Sequence, residues 1–141
     1  MDNAGYRWPV RVYWEDTDAG GIVFYANYLK FFERARTEWL RSAGIEQHPL
    51  KLTTGGMFVV AETAIKYMRP ARLDDELIVT ACLQQSGQAS MTIFQQALIL
   101  DSQDSGQDAV LCEGTIRIGW VNAASMRPLR IPKIVVESLK I

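Results

Sequence analysis

The sequence predicts an α+β fold: a curved, mainly antiparallel five-stranded sheet wrapped around one long central helix. Three observations lead there. A single strongly apolar helical pattern covers residues 27–43. The strand-like segments after it are joined by short turns, which favours antiparallel pairing. Several of those segments run near ten residues, against about 5–6 for an average strand, and long twisted strands curl. A helix carrying Phe31, Phe32 and Trp39 is the natural filler for the concave side.

The elements follow in order. Trp8, Val10, Val12 and Trp14 alternate with Arg7, Arg11 and Tyr13, the period of a half-buried strand. An acidic turn then ends in Gly20-Gly21. From Asn27 onward, Tyr28, Phe31, Phe32, Ala35, Trp39, Leu40 and Ala43 fall near one helical face, and Gly44 stands where a C′ glycine stops a helix. Residues 47–56 read as a loop closed by Gly55-Gly56. Residues 57–68 read as a strand with Val59, Ala61, Thr63, Ile65 and Tyr67 on one face. Pro70 cannot donate to a ladder and belongs at a strand end. Residues 77–85 and 90–100 are further strands about a turn at 86–89; 101–108 is a polar loop. Residues 109–121 form the last strand, where Gly114 and Gly119 suggest a bulge or bend. Pro132 fits the first position of a short helix over 133–140.

Composition narrows the function classes. The 141 residues fit one domain, 1–141, able to bury roughly 68% of its unfolded surface. A net charge of −1 recruits neither nucleic acid nor an anionic membrane. No apolar run is long enough to span a bilayer, and the first residues carry no signal peptide. Cys82 and Cys112 lie in apolar segments and read as reduced core residues of a cytoplasmic protein. His48 is the only histidine, so no metal site is expected. Neither a G-x-S-x-G elbow nor a phosphate-binding glycine loop is present.

What remains is a carboxylate loop that feeds straight into a helix start. A helix start offers unpaired backbone N–H groups and partial positive charge, both suited to a carbonyl oxygen that becomes anionic. A nearby carboxylate can act as base or nucleophile.

These residues also resemble a known family. Arg11-Val12, then Thr17-Asp18, then Gly21-Ile22-Val23 follows the signature of the 4-hydroxybenzoyl-CoA thioesterase family. The run from Tyr25-Ala26-Asn27-Tyr28 to Arg36-Thr37-Glu38 is similar to its YbgC-type, Tol-Pal-associated branch, as are Arg7-Trp8-Pro9-Val10 and Pro70-Ala71-Arg72-Leu73-Asp74-Asp75. The resemblance implies the hot-dog fold and an acyl-CoA thioesterase that needs no cofactor. It implies Asp18 as catalytic carboxylate and the Tyr25 backbone N–H as polariser of the thioester carbonyl. It places Gly21, Ile22 and Tyr28 at the substrate, and implies a homodimer or homotetramer with sites between subunits. Two departures stand out: Tyr25 replaces the histidine of many YbgC-type members, and the turn 86–89 lacks the Arg or Lys they place near the CoA phosphates.

Plainer readings stand beside these. Asp18 alone would pass for a turn residue, and Asp16 for a turn or helix-capping group. Phe31, Phe32 and Trp39 are core fillers first. Arg34 and Glu38 read as a surface pair, and Arg72, Asp74 and Asp75 as a solvated or subunit-contacting cluster. The rival functions are a non-catalytic acyl-CoA or acyl-carrier-protein binding module, and a thioesterase acting on acyl-carrier protein.

Overall fold

The helix that organises the chain is built as its pattern demands. In a computed structural model, which describes residues 5–101 and 107–140, α1 spans Tyr28–Ser42 and buries Tyr28, Phe31, Phe32, Ala35, Trp39 and Leu40. These side chains meet β1 (Tyr6–Arg11), β3 (Glu76–Ser86) and β4 (Ser90–Asp101). The helix stops as expected. Gly44 adopts φ +85°, the Ile45 N–H reaches back to the Leu40 carbonyl at 2.9 Å, and the Gly44 N–H to Arg41 at 3.0 Å. That is a Schellman closure, with Ile45 buried as its apolar contact.

The remaining strands are β2 (Gly56–Tyr67) and β5 (Gln107–Asn122), and a short helix, Lys133–Leu139, closes the described chain. The sheet order is β1-β3-β4-β5-β2, and each neighbouring pair is antiparallel. The expected α+β architecture, a five-stranded antiparallel sheet around a central helix, is therefore present. Of the polar loop expected at 101–108, Asp101 and Gln107 pair with each other and extend the strands; 102–106 lie outside the described residues.

Several expectations need correction. The loop expected at 47–56 is mostly a helix, α2 (Gln47–Thr54), ended by Gly55 at φ +76°. Pro49 falls in its first turn, where a missing N–H costs little, and the Thr54 hydroxyl donates to the Leu50 carbonyl at 2.7 Å. Next, β1 ends at Arg11, and Trp14 lies in a 3₁₀ turn, Trp14–Asp16, at 76% exposure. Last, the single face expected on β2 is broken. The register against β5 shifts between Val60 and Glu62, so Ala61 bulges out and the alternation flips. Val59 and Ile65 stay half-buried while Ala61, Thr63 and Tyr67 are exposed.

Gly114 and Gly119 sit in regular register rather than at bulges. Gly114 is needed for close approach: a Cβ there would stand 2.3 Å from the Ala64 carbonyl oxygen. Glu38 pairs with Arg41 at 2.6 Å, not with the expected Arg34. Both cysteines are free; Cys112 is buried, which pushes its thiol up to about 12.

Candidate active site

The signature stretch folds into a small hairpin pinned at its root by one carboxylate. Asp16 is 6% exposed. Its Oδ2 accepts from the Tyr13 N–H and its Oδ1 from the Asn27 side-chain amide, each at 2.8 Å. A buried carboxylate is costly unless its oxygens are satisfied, and here both are. Tyr13 lies before the turn and Asn27 where the helix begins, so one side chain fixes the loop against the start of α1.

From this root two arms run outward. The Phe24 N–H donates to the Asp16 carbonyl at 3.0 Å, Thr17 pairs with Val23, and the Asp18 N–H donates to the Ile22 carbonyl at 2.9 Å. The outer arm is secured in turn: the Val23 N–H donates to the Ala71 carbonyl at 2.9 Å, and Ile22 bridges Arg72. Gly21 closes the tip at φ +81°, with its N–H on the Asp18 carbonyl at 3.0 Å. Asp18 is therefore two residues beyond Asp16 on the same arm, roughly 7 Å along an extended chain. Its side chain is exposed, and Oδ1 accepts from the Gly20 N–H at 2.8 Å. The turn geometry expected of an Asp at this position is thus real.

The helix does not begin abruptly. A 3₁₀ turn, Tyr25–Asn27, precedes it, and its first bond runs from the Asn27 N–H to the Phe24 carbonyl at 2.8 Å. The amides of Tyr25 and Ala26 precede that bond and are the orphan donors of a helix start. The Tyr25 ring is 64% exposed and lies 6.2 Å, edge-on, from Tyr67. The Tyr67 hydroxyl donates to the Tyr25 carbonyl at 3.0 Å. Burial raises the Tyr67 phenol, so it remains a donor.

Tyr28 is 2% exposed, and its hydroxyl accepts from the Ala71 N–H at 3.1 Å. Burial is the main cause raising its pKa, with the Ala71 N–H opposing. Its visible work is to tie the 71–73 segment to α1. Gly21 and Ile22 are half-buried beside Asp18. Asp16, Asn27 and Tyr67 were not singled out as site residues from sequence. The signals were faint: an Asp-x-Asp pair, an Asn just before the helical pattern, and a Tyr at a strand end.

The turn Gly87-Gln88 lacks basic residues, yet cations stand next to it. A cavity of about 420 Å³ is lined by both residues together with Arg130, Lys133, Lys140 and one carboxylate, Glu137. The Ile131 N–H donates to the Gln88 carbonyl at 2.8 Å and holds this connector against the turn.

The thioesterase-like superfamily model matches residues 12–139. The chain belongs to that superfamily. Its relatives include the acyl-CoA thioesterase YbgC of Haemophilus influenzae, 41% identical over 94% of this chain and 92% of that one. The acyl-CoA thioester hydrolase YbgC of Escherichia coli O6:H1 is 37% identical over 99% of both. Among solved structures, a 4-hydroxybenzoyl-CoA thioesterase mutant complexed with 4-hydroxybenzoyl-CoA superposes with TM-score 0.87 at 15% identity, covering 95% of this chain and 97% of that one. That likeness shows the fold, and the hot-dog architecture of this thioesterase-family chain agrees with it.

Asp16→Ala leaves the Tyr13 N–H and the Asn27 amide without their partner. It should lower unfolding stability by about 1–3 kcal/mol. Asn27→Ala should account for part of the same loss, so the double variant should lose less than the sum in urea unfolding. Simple additivity would show that the pair does not act as a unit.

Proposed function

We propose that this protein hydrolyses an acyl-CoA thioester to the free carboxylic acid and CoA, in the cytoplasm and without metal or cofactor. The observation that carries the reading is the pinned hairpin. It holds an exposed carboxylate, Asp18, on the arm paired with the one that leads into the orphan amides of Tyr25 and Ala26. The names of the two YbgC relatives support the same substrate class.

The thioester carbonyl would accept from the Tyr25 N–H, which steadies the oxyanion as the carbonyl carbon becomes tetrahedral. One well-placed donor of this kind contributes about 2.7–4 kcal/mol elsewhere. By one route, Asp18 takes a proton from water, the resulting hydroxide adds to the carbonyl carbon, the C–S bond breaks, and the CoA thiolate recovers the proton. By the other, an Asp18 oxygen adds and expels the thiolate, and water then opens the acyl-aspartyl anhydride. A thiol of pKa about 8.5 leaves readily, so no further electrophile is required. Because the Tyr25 N–H does this work, its side chain can be Tyr where relatives carry His.

Asp18 is open in the single protomer, so the site needs a wall. The free edge of β2 supplies the means. Val60 is 54% and Tyr67 45% exposed on it, and an unpaired strand edge is a template for a second copy. We assign a homodimer along β2, with two dimers able to form a tetramer. The CoA phosphates would lie at Arg130, Lys133 and Lys140, the cations that the turn itself lacks.

Three measurements test this. Asp18→Asn should abolish thiol release while acyl-CoA still binds, and Tyr25→Phe should retain activity. A fully active Asn variant removes Asp18 from the reaction, and binding by the wild type without thiol release makes the protein a binding module instead. Light scattering should give a dimer or larger; a monomer at working concentration refutes the assembly. Lys133→Glu should raise KM for acyl-CoA more than it lowers kcat, and an unchanged KM would move the phosphates elsewhere.

A further inference from the structure

Between α1 and the first half of β2 lies a cavity of about 150 Å³ that the reaction above does not use. Leu40, Phe58, Val59, Val60 and Ile118 give it apolar walls. One cation stands among them. The Arg36 Nη1 donates to the Gln95 Oε1 at 3.0 Å.

Gln95 is fully buried, and its orientation is fixed. Its Nε2 donates to the Phe32 carbonyl at 3.0 Å and to the Thr80 carbonyl at 3.1 Å. Both amide hydrogens are therefore committed, and the oxygen must face Arg36. Glutamine is neutral, so this contact holds the guanidinium in place without neutralising it. Burial is the main influence on Arg36 and lowers its pKa, against the attraction of Glu33. The exposed Glu33, which also borders the cavity, accepts from the Thr37 hydroxyl at 2.5 Å. A guanidinium keeps its charge and carries five N–H donors in a planar fork. An oriented fork in an apolar wall matches a planar carboxylate better than any neutral group.

The cavity opens beside β2, whose edge is free. An edge that pairs with its own copy about a two-fold axis runs antiparallel. The Tyr67 end of one copy then travels toward the Phe58–Val60 end of the other. Tyr67 is bonded to the Tyr25 carbonyl, so the reacting centre of one protomer approaches the cavity of its neighbour. A cavity of this volume, with apolar walls and Arg36, Glu33, Thr37 and Gln47 at its border, has room for a benzene-sized group, about six non-hydrogen atoms.

We propose that the Arg36 cavity is the acyl subsite for a thioester held by the adjacent copy. It selects acyl groups that place about six non-hydrogen atoms beyond the thioester carbonyl and end in a carboxylate, the half-thioesters of short dicarboxylic acids. The inference rests on the thioesterase reading and on the β2 dimer.

Thiol release from adipyl-CoA and hexanoyl-CoA tests it, because the two differ at the far end of the acyl chain alone. The wild type should favour adipyl-CoA in kcat/KM by about tenfold or more. Arg36→Gln should lose most of that preference, and Arg36→Lys should keep part of it. Equal rates, or a preference for hexanoyl-CoA, in the wild type would overturn the assignment whatever the variants do. So would a preference that survives in Arg36→Gln. Release from neither substrate or any other acyl-CoA would instead refute the thioesterase reading itself.

Discussion

The structure of the site depends on one interaction, the Asp16 carboxylate held between the Tyr13 N–H and the Asn27 amide. It joins three things that the chain would otherwise leave independent: the exit from β1, the root of the hairpin and the first turn before α1. A carboxylate this buried is stable only while both partners stay in place. The geometry of the hairpin is thereby fixed from its root. Asp18 lies two residues beyond this root, and the Tyr25–Asn27 turn starts directly after Phe24, whose N–H bonds the Asp16 carbonyl.

Two aspartates two residues apart thus have opposite fates. Asp16 turns inward and has both oxygens bonded to the protein. Asp18 turns outward and gives one oxygen to the Gly20 N–H, which orients its carboxylate without burying it. Packing separates the roles, since the side chains are identical. The same division recurs deeper in the molecule. Gln95 is fully committed inside the sheet and positions Arg36, which borders the cavity between α1 and β2.

The sheet sets the limits of what a single chain can build. β1 and β2 are its edges, and β2 is exposed over much of its length on both faces. The bulge at Ala61 helps to cause this, because it flips the alternation halfway along the strand and leaves neither face continuously apolar. A strand of that character is stabilised on one side by β5 and has its other side unpaired among the described residues. Asp18 is exposed in the single chain, and the proposed dimer would answer both the open edge and the exposed carboxylate.

Local chemistry made much of this legible in the sequence. The α1 stripe from Tyr28 to Leu40, its stop at Gly44 and the strands about the 86–89 turn are encoded by periods of 3.6 and 2 and by glycine's access to positive φ. These depend on neighbours within a few residues, and so the order of elements and the fold class could be derived. The α2 helix was hidden because Pro49 and the paired Thr residues read as loop chemistry, and it buries no residue that would have marked a face. Long-range contacts left no such trace. That Asp16 rather than Asp18 goes inside, that Tyr67 reaches Tyr25 across 42 positions and that Arg130, Lys133 and Lys140 gather beside Gly87 depend on how the sheet closes around the helix. The sequence alone determined which groups the protein carries and the elements that present them; tertiary packing decided which of those groups meet, because burial and partner geometry exist only once distant segments are brought together.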